Sequence, residues 1–545
     1  MNPKATAANA VWLAASLPAS RRFRHALAHP DEVQWRLLRS QLVRNARCAY
    51  GRAHGFGEIR NYAEFARRVP IVNYDDCESW IRRIMRGEQS VLTEEPVTHL
   101  APTSGSSGAR KLIPFNTSLQ RSFSTAIGPW MVDLCQQHPS IILGPAYWSV
   151  TPIANKADTE NSAVPVGFED DGQYLGGVRR RLVDAVMAVP SAVRHVTKID
   201  AFRRITLLLL LRQKELRLIS IWHPSFLALL LDAMPAMWEE LLSDIHSGGC
   251  SRLNGIPQST LMALRLPANP RRAAELQRAD PSRLETVWPM LRVVSCWGDA
   301  HAGLALADLA RRIPHVTIQP KGLLATEAVI TIPFSGKYPV ALGSHFFEFI
   351  DERGAIRQVH ELRETGIYEV VVTTGGGLWR YRLGDQVEVT GFLERTPSLR
   401  FIGRAGLVSD RFGEKLSEAF VSHALREAWA GMPTMASFAM LAPEETSPIQ
   451  SHYTLYVEGA FPDDIPARLD VALSQNPHYA YCRDLGQLHP PRIFKIDAQA
   501  YDVFVAAEMR RGMRLGEIKP IALSLRTDWS QHFSGAYLPS VEIHM

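Results

Sequence analysis

Six consecutive threonine, serine and glycine residues, Thr103, Ser104, Gly105, Ser106, Ser107 and Gly108, are followed by Lys111 and flanked by strand-like VTHLA and LIPF. Glycines let a backbone approach a ligand closely, hydroxyls and N–H groups donate to phosphate oxygens, and the lysine adds charge. The spacing is not the GxxxxGK[ST] of a nucleotide P-loop, and GSSG is not the GxSxG elbow of a serine hydrolase. The placement predicts a hairpin loop, read either as a phosphate cradle or as a flexible Gly/Ser turn.

Two further segments carry chemistry. GLLATEAVITI (Gly322–Ile332) sets Thr326 and Glu327 just before a strand-like run. A carboxylate there can hold Mg²⁺ bridging phosphate oxygens, or can be an edge glutamate facing solvent. GGGLWRYRLGD (Gly375–Asp385) predicts an aromatic and arginine strand ending in Gly-Asp. One carboxylate can accept hydrogen bonds from two vicinal ribose hydroxyls, so Asp385 is a candidate ribose ligand; a turn aspartate with cross-strand arginine pairs is the alternative.

The elements that must position these residues read as α/β. Asp31–Ala46 places Val33, Leu37, Leu38 and Leu42 on one helical face, and Ala7–Ser20 reads as an amphipathic helix rather than an export signal. Past Val91, short β-branched runs alternate with helical ones: strands are expected at Leu291–Trp297, Glu327–Ile332, Phe346–Ile350, Gly366–Thr374 and Gln386–Thr390, and helices at Ala201–Leu211 and Pro224–Met234. Beyond Gly403 the texture changes. A helix over Glu414–Trp429, with His423 on its apolar stripe as a core histidine, precedes strands at Ser437–Leu441, His452–Val457 and Arg492–Ile496 and helices at Ile465–Leu473 and Ala498–Arg511. The predicted organisation is a large domain over 1–403, a hinge at 404–406 and a small α/β domain over 407–545.

Composition excludes several classes. With 46% hydrophobic and 21% charged residues, the 545-residue chain is an ordinary globular protein too long for a single core. A formal charge of +5, without a basic block interleaved with aromatics, does not point to nucleic acid. Six scattered cysteines without a CxxC pair indicate neither a disulfide framework nor a structural metal, and suit the cytoplasm. The longest aliphatic run, Leu207–Leu211, is too short to cross a bilayer.

The three segments in this order resemble the adenylate-forming superfamily of acyl-CoA synthetases, adenylation domains and luciferases. More closely, the chain resembles the auxin-responsive (Gretchen Hagen) acyl-acid amido synthetases and their bacterial relatives. The likeness runs through YGRAHGF, VPIVNYDD, PTSGSSGARKLIPF, VGFEDDGQYLGG, ISIWHPSFL, GLLATEA, WRYRLGD, FIGRAGLVSDRFGEKLSEAFV and GEIKP. It implies an adenylate-forming ligase with a large multi-subdomain N-terminal domain and a small mobile C-terminal one. It implies ATP and Mg²⁺ as cofactors, with Thr103–Gly108 and Lys111 at the phosphates, Thr326 and Glu327 at AMP and the metal, Asp385 at the ribose, Arg404 at the hinge and the nucleotide, and Lys519 as the mobile lysine that neutralises charge during adenylation. VGFEDD matches as well, yet chemistry assigns Asp170 and Asp171 no role.

The implied reaction activates a small carboxylic acid as acyl-AMP and passes the acyl group to an amine, by resemblance an amino acid; no nucleic acid, membrane or obligate protein partner is implied. An acyl-CoA ligase shares the first half, but GEKLSEAFV in place of a pattern nearer GxRI favours amide synthesis. A nucleotide-binding relative without turnover is the rival of another class, opposed by the retained Lys111, Glu327, Asp385 and Lys519. Specificity for acid and amine lies in pocket shape, which no motif encodes. The aromatic segments Ala146–Trp148, Trp222–His223 and Phe346–Phe347 read as pocket wall or as core.

Overall fold

The computed structural model describes residues 2–103, 111–149, 162–167, 182, 184–196, 198–251, 256–264, 266–299, 302–404, 408–409, 411, 414–432, 436–447, 450–511, 513 and 518–539. Two sheets of different kinds build the large lobe. In the first, Ala146–Trp148, Leu218–Ser220, Val293–Cys296 and Thr317–Pro320 pair in that order, all parallel. Parallel strands need crossovers, here the helices Ile199–Leu211, Pro224–Ser247 and Ala302–Arg312, and Val293–Cys296 is buried at every position. Strands of this kind end at one edge, where open α/β sheets bind ligands. Trp148, Trp222, Trp297 and Lys321 lie at or just beyond those ends.

The second sheet is antiparallel, with strands in the order Thr396–Arg404, Tyr381–Leu393, Ile367–Thr373, Phe346–Asp351 and Ile356–Gln358. It shares one apolar core with the N-terminal helices Pro3–Ala28, Pro30–Arg44 and Tyr74–Met85. Pro3–Ala28 packs against Thr117–Gln137, burying Trp12 and Phe23, as its amphipathic pattern predicts. Asn73 and Asp76 form a capping box on Tyr74–Met85, so part of VPIVNYDD is a helix start.

Arg380 fastens these layers. It is buried, with the left-handed φ of 47°, and makes a bidentate pair with Glu348 at 2.7 and 2.9 Å. It also donates to the carbonyls of Ala66 and Val69, while Tyr62 donates to Glu348 at 2.7 Å. Removing one member of a buried pair strands the other, at a cost of about 3–5 kcal/mol. Glu348→Ala is therefore expected to lower the melting temperature by at least about 5 °C. Glu348→Leu with Arg380→Met should cost less than either single change; thermal unfolding of the three variants checks this.

The small lobe is a sheet in the order Phe438–Ser447, Gln450–Glu458, Arg492–Ile496 and Gly535–Tyr537, with a separate core on each face. Glu418–Ala428, Ile465–Leu473 and Pro477–Asp484 contribute to one core and Ala500–Arg510 to the other. The lobes touch through Arg203 and Asp502 (2.6 Å), the stacked rings of His223 and Tyr501, and Lys519 over the Trp297 indole at 4.0 Å.

Four sequence expectations need correction. Glu327–Ile332 is not a strand: Leu324 and Val329 bridge across a tight turn with Thr326 and Glu327 at its tip. The arginine strand does not end at Gly-Asp but continues to Leu393 through a bulge. The helix predicted from Glu414 starts at Glu418, because Leu416–Ser417 pairs with Val408–Ser409 and Ser417 is the N-cap. His423 is exposed beside Glu427 at 3.3 Å, because one step along the helix rotates it off the buried face of Val421 and Ala424.

Candidate active site

His99–Thr103 and Lys111–Phe115 form the two antiparallel limbs of the predicted hairpin, with Thr103 opposite Lys111. Ser104–Gly108 lie outside the described residues, so the structure places the mouth of the loop and not its tip. The Lys111 limb is held where Leu112 N–H donates to the Tyr74 hydroxyl at 2.8 Å, and the Lys111 ammonium lies 5.7 Å from the same ring. The triple glycine nests beneath this hairpin: a Cβ on Gly376 would come within 2.7 Å of the Pro114 carbonyl. That run is explained by close packing.

The Thr326–Glu327 turn is pinned from both sides. Ala325 N–H donates to the Ala328 carbonyl at 2.9 Å, and Leu323 N–H to the Thr331 hydroxyl at 2.8 Å. Gly322 makes the fit possible, since a Cβ there would meet the Thr331 carbonyl oxygen at 2.2 Å. Burial pushes His345 down to about 3, so its ring is neutral and accepts from Val329 N–H at 3.3 Å. Glu327 is raised, first by desolvation, with Asp385 adding repulsion and Arg404 and Lys111 opposing it.

Asp385 reaches the same place from the antiparallel sheet. Between Arg382 and Gln386 the register with Ile367–Thr373 breaks, freeing Leu383–Asp385 from that neighbour, while Asp385 stays opposite Arg404 on the other side. Arg404 Nε donates to buried Asp385 at 3.1 Å. The turn-aspartate alternative was thus right about a cross-strand arginine, which here is the other site candidate. Arg404 is raised chiefly by the Asp385 charge, with Glu327 and Glu418 adding to it.

The small lobe adds two groups. Lys519 is exposed as a residue, but its ammonium lies over the Trp297 indole where the lobes meet; desolvation there and Arg404 lower it to about 8, against Asp385, Glu327 and Glu418. Glu418, first residue of its helix, is pushed up to about 7 by burial despite Arg404 and a hydrogen bond with the Ala522 backbone. Sequence reasoning quoted the stretch containing Glu418 and gave it no role; a carboxylate directly after a serine N-cap was the available signal. Lys111, Glu327, Asp385, Arg404, Glu418 and Lys519 thus share one electrostatic cluster fed by six chain segments.

Sequence reasoning also missed Lys321 and Trp297, each directly after a parallel strand. Of the aromatic segments weighed as pocket or core, Tyr147, Phe346 and Phe347 are core. Trp222 instead meets Trp297, ring centroids 5.4 Å apart. Asp170, Asp171, Ala405 and Gly406 lie outside the described residues.

A parallel sheet with crossover helices, a bulged antiparallel sheet beside it, and a small α/β lobe over the shared edge make up a fold shared with solved acyl acid amido synthetases. The chain covers 94% of its length against 95% of a GH3.15 acyl acid amido synthetase structure, at TM-score 0.81 and 20% identity. The chain belongs to the GH3 family: its N-terminal domain model matches residues 19–318, its central domain model 338–404 and its C-terminal domain model 419–527. Among curated relatives, an indole-3-acetic acid-amido synthetase GH3.8 of Oryza sativa subsp. indica is 27% identical over 78% of this chain and 75% of its own. The Arabidopsis thaliana indole-3-acetic acid-amido synthetase GH3.3 is 25% identical over 78% and 76%. None of the described helices is long and apolar enough to cross a membrane.

Proposed function

We propose that the chain is an AMP-forming acyl-acid amido synthetase, activating a small carboxylic acid with Mg·ATP and transferring the acyl group to an amino acid. The observation that carries this reading is the convergence of Glu327, Asp385, Arg404 and Lys519 from separate segments and both lobes onto one cleft. In the first step a carboxylate oxygen attacks the α-phosphorus, the bond to the bridging oxygen breaks, and pyrophosphate leaves. In the second the amine nitrogen attacks the acyl carbon, the bond to AMP breaks, and the amine gives up a proton.

The chain's own groups position and neutralise rather than bond covalently. Asp385 would accept from the ribose hydroxyls, Arg404 and Lys111 would face phosphate oxygens, and Thr103–Gly108 would donate N–H and hydroxyl hydrogens to them. Thr326 would flank the AMP. Glu327 fits Mg²⁺, because a carboxylate already raised by burial and by a second carboxylate is one that a cation relieves. The metal would supply charge neutralisation at the phosphates. Lys519 would offset the charge of the pentavalent transition state, and the small lobe would then turn about 404–406 to admit the amine. A cytoplasmic setting agrees with the free cysteines among the described residues.

The test is pyrophosphate release from Mg·ATP across aryl, indole and aliphatic acids, with pooled amino acids or coenzyme A as acceptor. Acid-dependent release with an amide product is expected. A requirement for coenzyme A would make the protein an acyl-CoA ligase, and silence with every acid despite ATP binding would leave a non-catalytic relative.

A further inference from the structure

Lys321 is a further cation, beside the Trp222–Trp297 pair, that the reaction as outlined does not use. It follows the parallel strand Thr317–Pro320 and is only 6% exposed, with its N–H bound to the Cys296 carbonyl at 2.7 Å. Its ammonium lies 4.7 Å from the Trp222 ring centroid and 5.9 Å from that of Trp130. Among the described residues it has no ion-pair partner. Cation–π contact with two indoles offers about 0.5–2 kcal/mol, less than the several kcal/mol that desolvating an ammonium costs.

Its position separates it from the nucleotide groups. Lys519 feels Arg404, Asp385, Glu327 and Glu418, whereas burial lowers Lys321 to about 7 and, among the described residues, only the Cys296 thiol opposes that; a ligand oxygen facing it would restore its full charge. Yet the two lysines belong to one wall: Lys519 sits over Trp297, Trp297 packs against Trp222, and Lys321 sits over Trp222. A planar acid lying along this indole pair would have its reacting carboxylate by Lys519 and its far end by Lys321. A buried cation with no protein anion is matched by an anion or strong acceptor on the ligand.

Resting on the acid-activating reading above, we infer that Lys321 is a specificity residue, and that the acid substrate is a flat, aryl-type acid with a second oxygen acceptor, a ring hydroxyl or carboxylate, at the end distant from the reacting carboxylate. Purely hydrocarbon acids would leave the ammonium desolvated and unpaired, and would be selected against.

The test titrates nucleotide-free protein with benzoate, 4-hydroxybenzoate and terephthalate, following tryptophan fluorescence, alongside pyrophosphate exchange with each acid. At least one oxygenated acid is expected to bind about ten-fold or more tighter than benzoate, the size of one charged hydrogen bond. Lys321→Met should bring that ratio to within about two-fold without weakening benzoate, and Lys321→Arg should keep the oxygenated acid ahead. Equal or undetectable binding of all the acids by the native protein, or equal weakening of all by Lys321→Met, overturns the inference. Discrimination without exchange would overturn the ligase reading and sustain the lysine site; exchange without discrimination would do the reverse.

Discussion

Replacing Asp385 with alanine is expected to cut acid-dependent pyrophosphate exchange by a factor of about 10² to 10⁴, because each hydrogen bond from a ribose hydroxyl to a carboxylate contributes about 1.5–3 kcal/mol. The strand itself should survive, since residue 385 stays paired with Arg404 through the backbone on a sheet whose other strands are untouched. Loss of the ion pair adds little to instability, because the Arg404 side chain is 39% exposed and keeps Glu327 and Glu418 nearby. Asp385→Asn, retaining one acceptor, should fall between alanine and the native protein. Circular dichroism and exchange kinetics together decide the matter: a folded alanine variant with near-native exchange would remove Asp385 from the site.

The second large effect concerns Lys519 and should divide the two half-reactions. Lys519→Ala is expected to lower adenylation by about 10²–10³, the usual loss when one preorganised donor to developing charge is removed. Aminolysis of a supplied acyl-AMP should change by less than about three-fold if the lysine acts only in the first step. The folded protein holds this lysine down at about 8, so its ammonium is present below that pH and is lost as pH rises through it. The kcat/KM for ATP, which reports the free enzyme, should therefore fall above about pH 8. Lys519→Arg, charged throughout, should remove that limb of the profile. Equal damage to both half-reactions would place Lys519 in a structural role.

Much of what the structure brings together as a candidate site was singled out in the sequence because those residues sit at breaks in regular patterns. The strand-like segments flanking the Thr/Ser/Gly run predicted a hairpin, and His99–Thr103 and Lys111–Phe115 do pair antiparallel, while Ser104–Gly108 lie outside the described residues. Glu327 and Asp385 were singled out as candidates, and their local geometry was misjudged. A tight turn closed by one isolated bridge and a bulge inside a long strand both arise from tertiary packing, around Gly322 and Thr331 in one case and between two flanking strands in the other. His423 failed for a simpler reason: an apolar stripe read from a helix start placed too early is rotated with respect to the real one. Lys321 and Trp297 carry no local pattern and Glu418 only its place after a serine N-cap; the order of strands in the parallel sheet and the docking of the small lobe bring all three together.

The strand Thr396–Arg404 is tied at its first residue, where the Thr396 hydroxyl donates to the Leu27 carbonyl at 2.9 Å, and its last residue faces Asp385. A strand fastened at both ends cannot swing, so Arg404 stays with the large lobe, and a turning small lobe takes only its own groups. It would carry off one ammonium, Lys519, together with Glu418, a carboxyl that burial holds near half-protonation at neutral pH. The cleft would then become less positive between the two steps, easing the approach of an amino acid whose nitrogen arrives protonated. The same movement would change the site's charge to suit, in turn, an anionic triphosphate and a cationic acceptor.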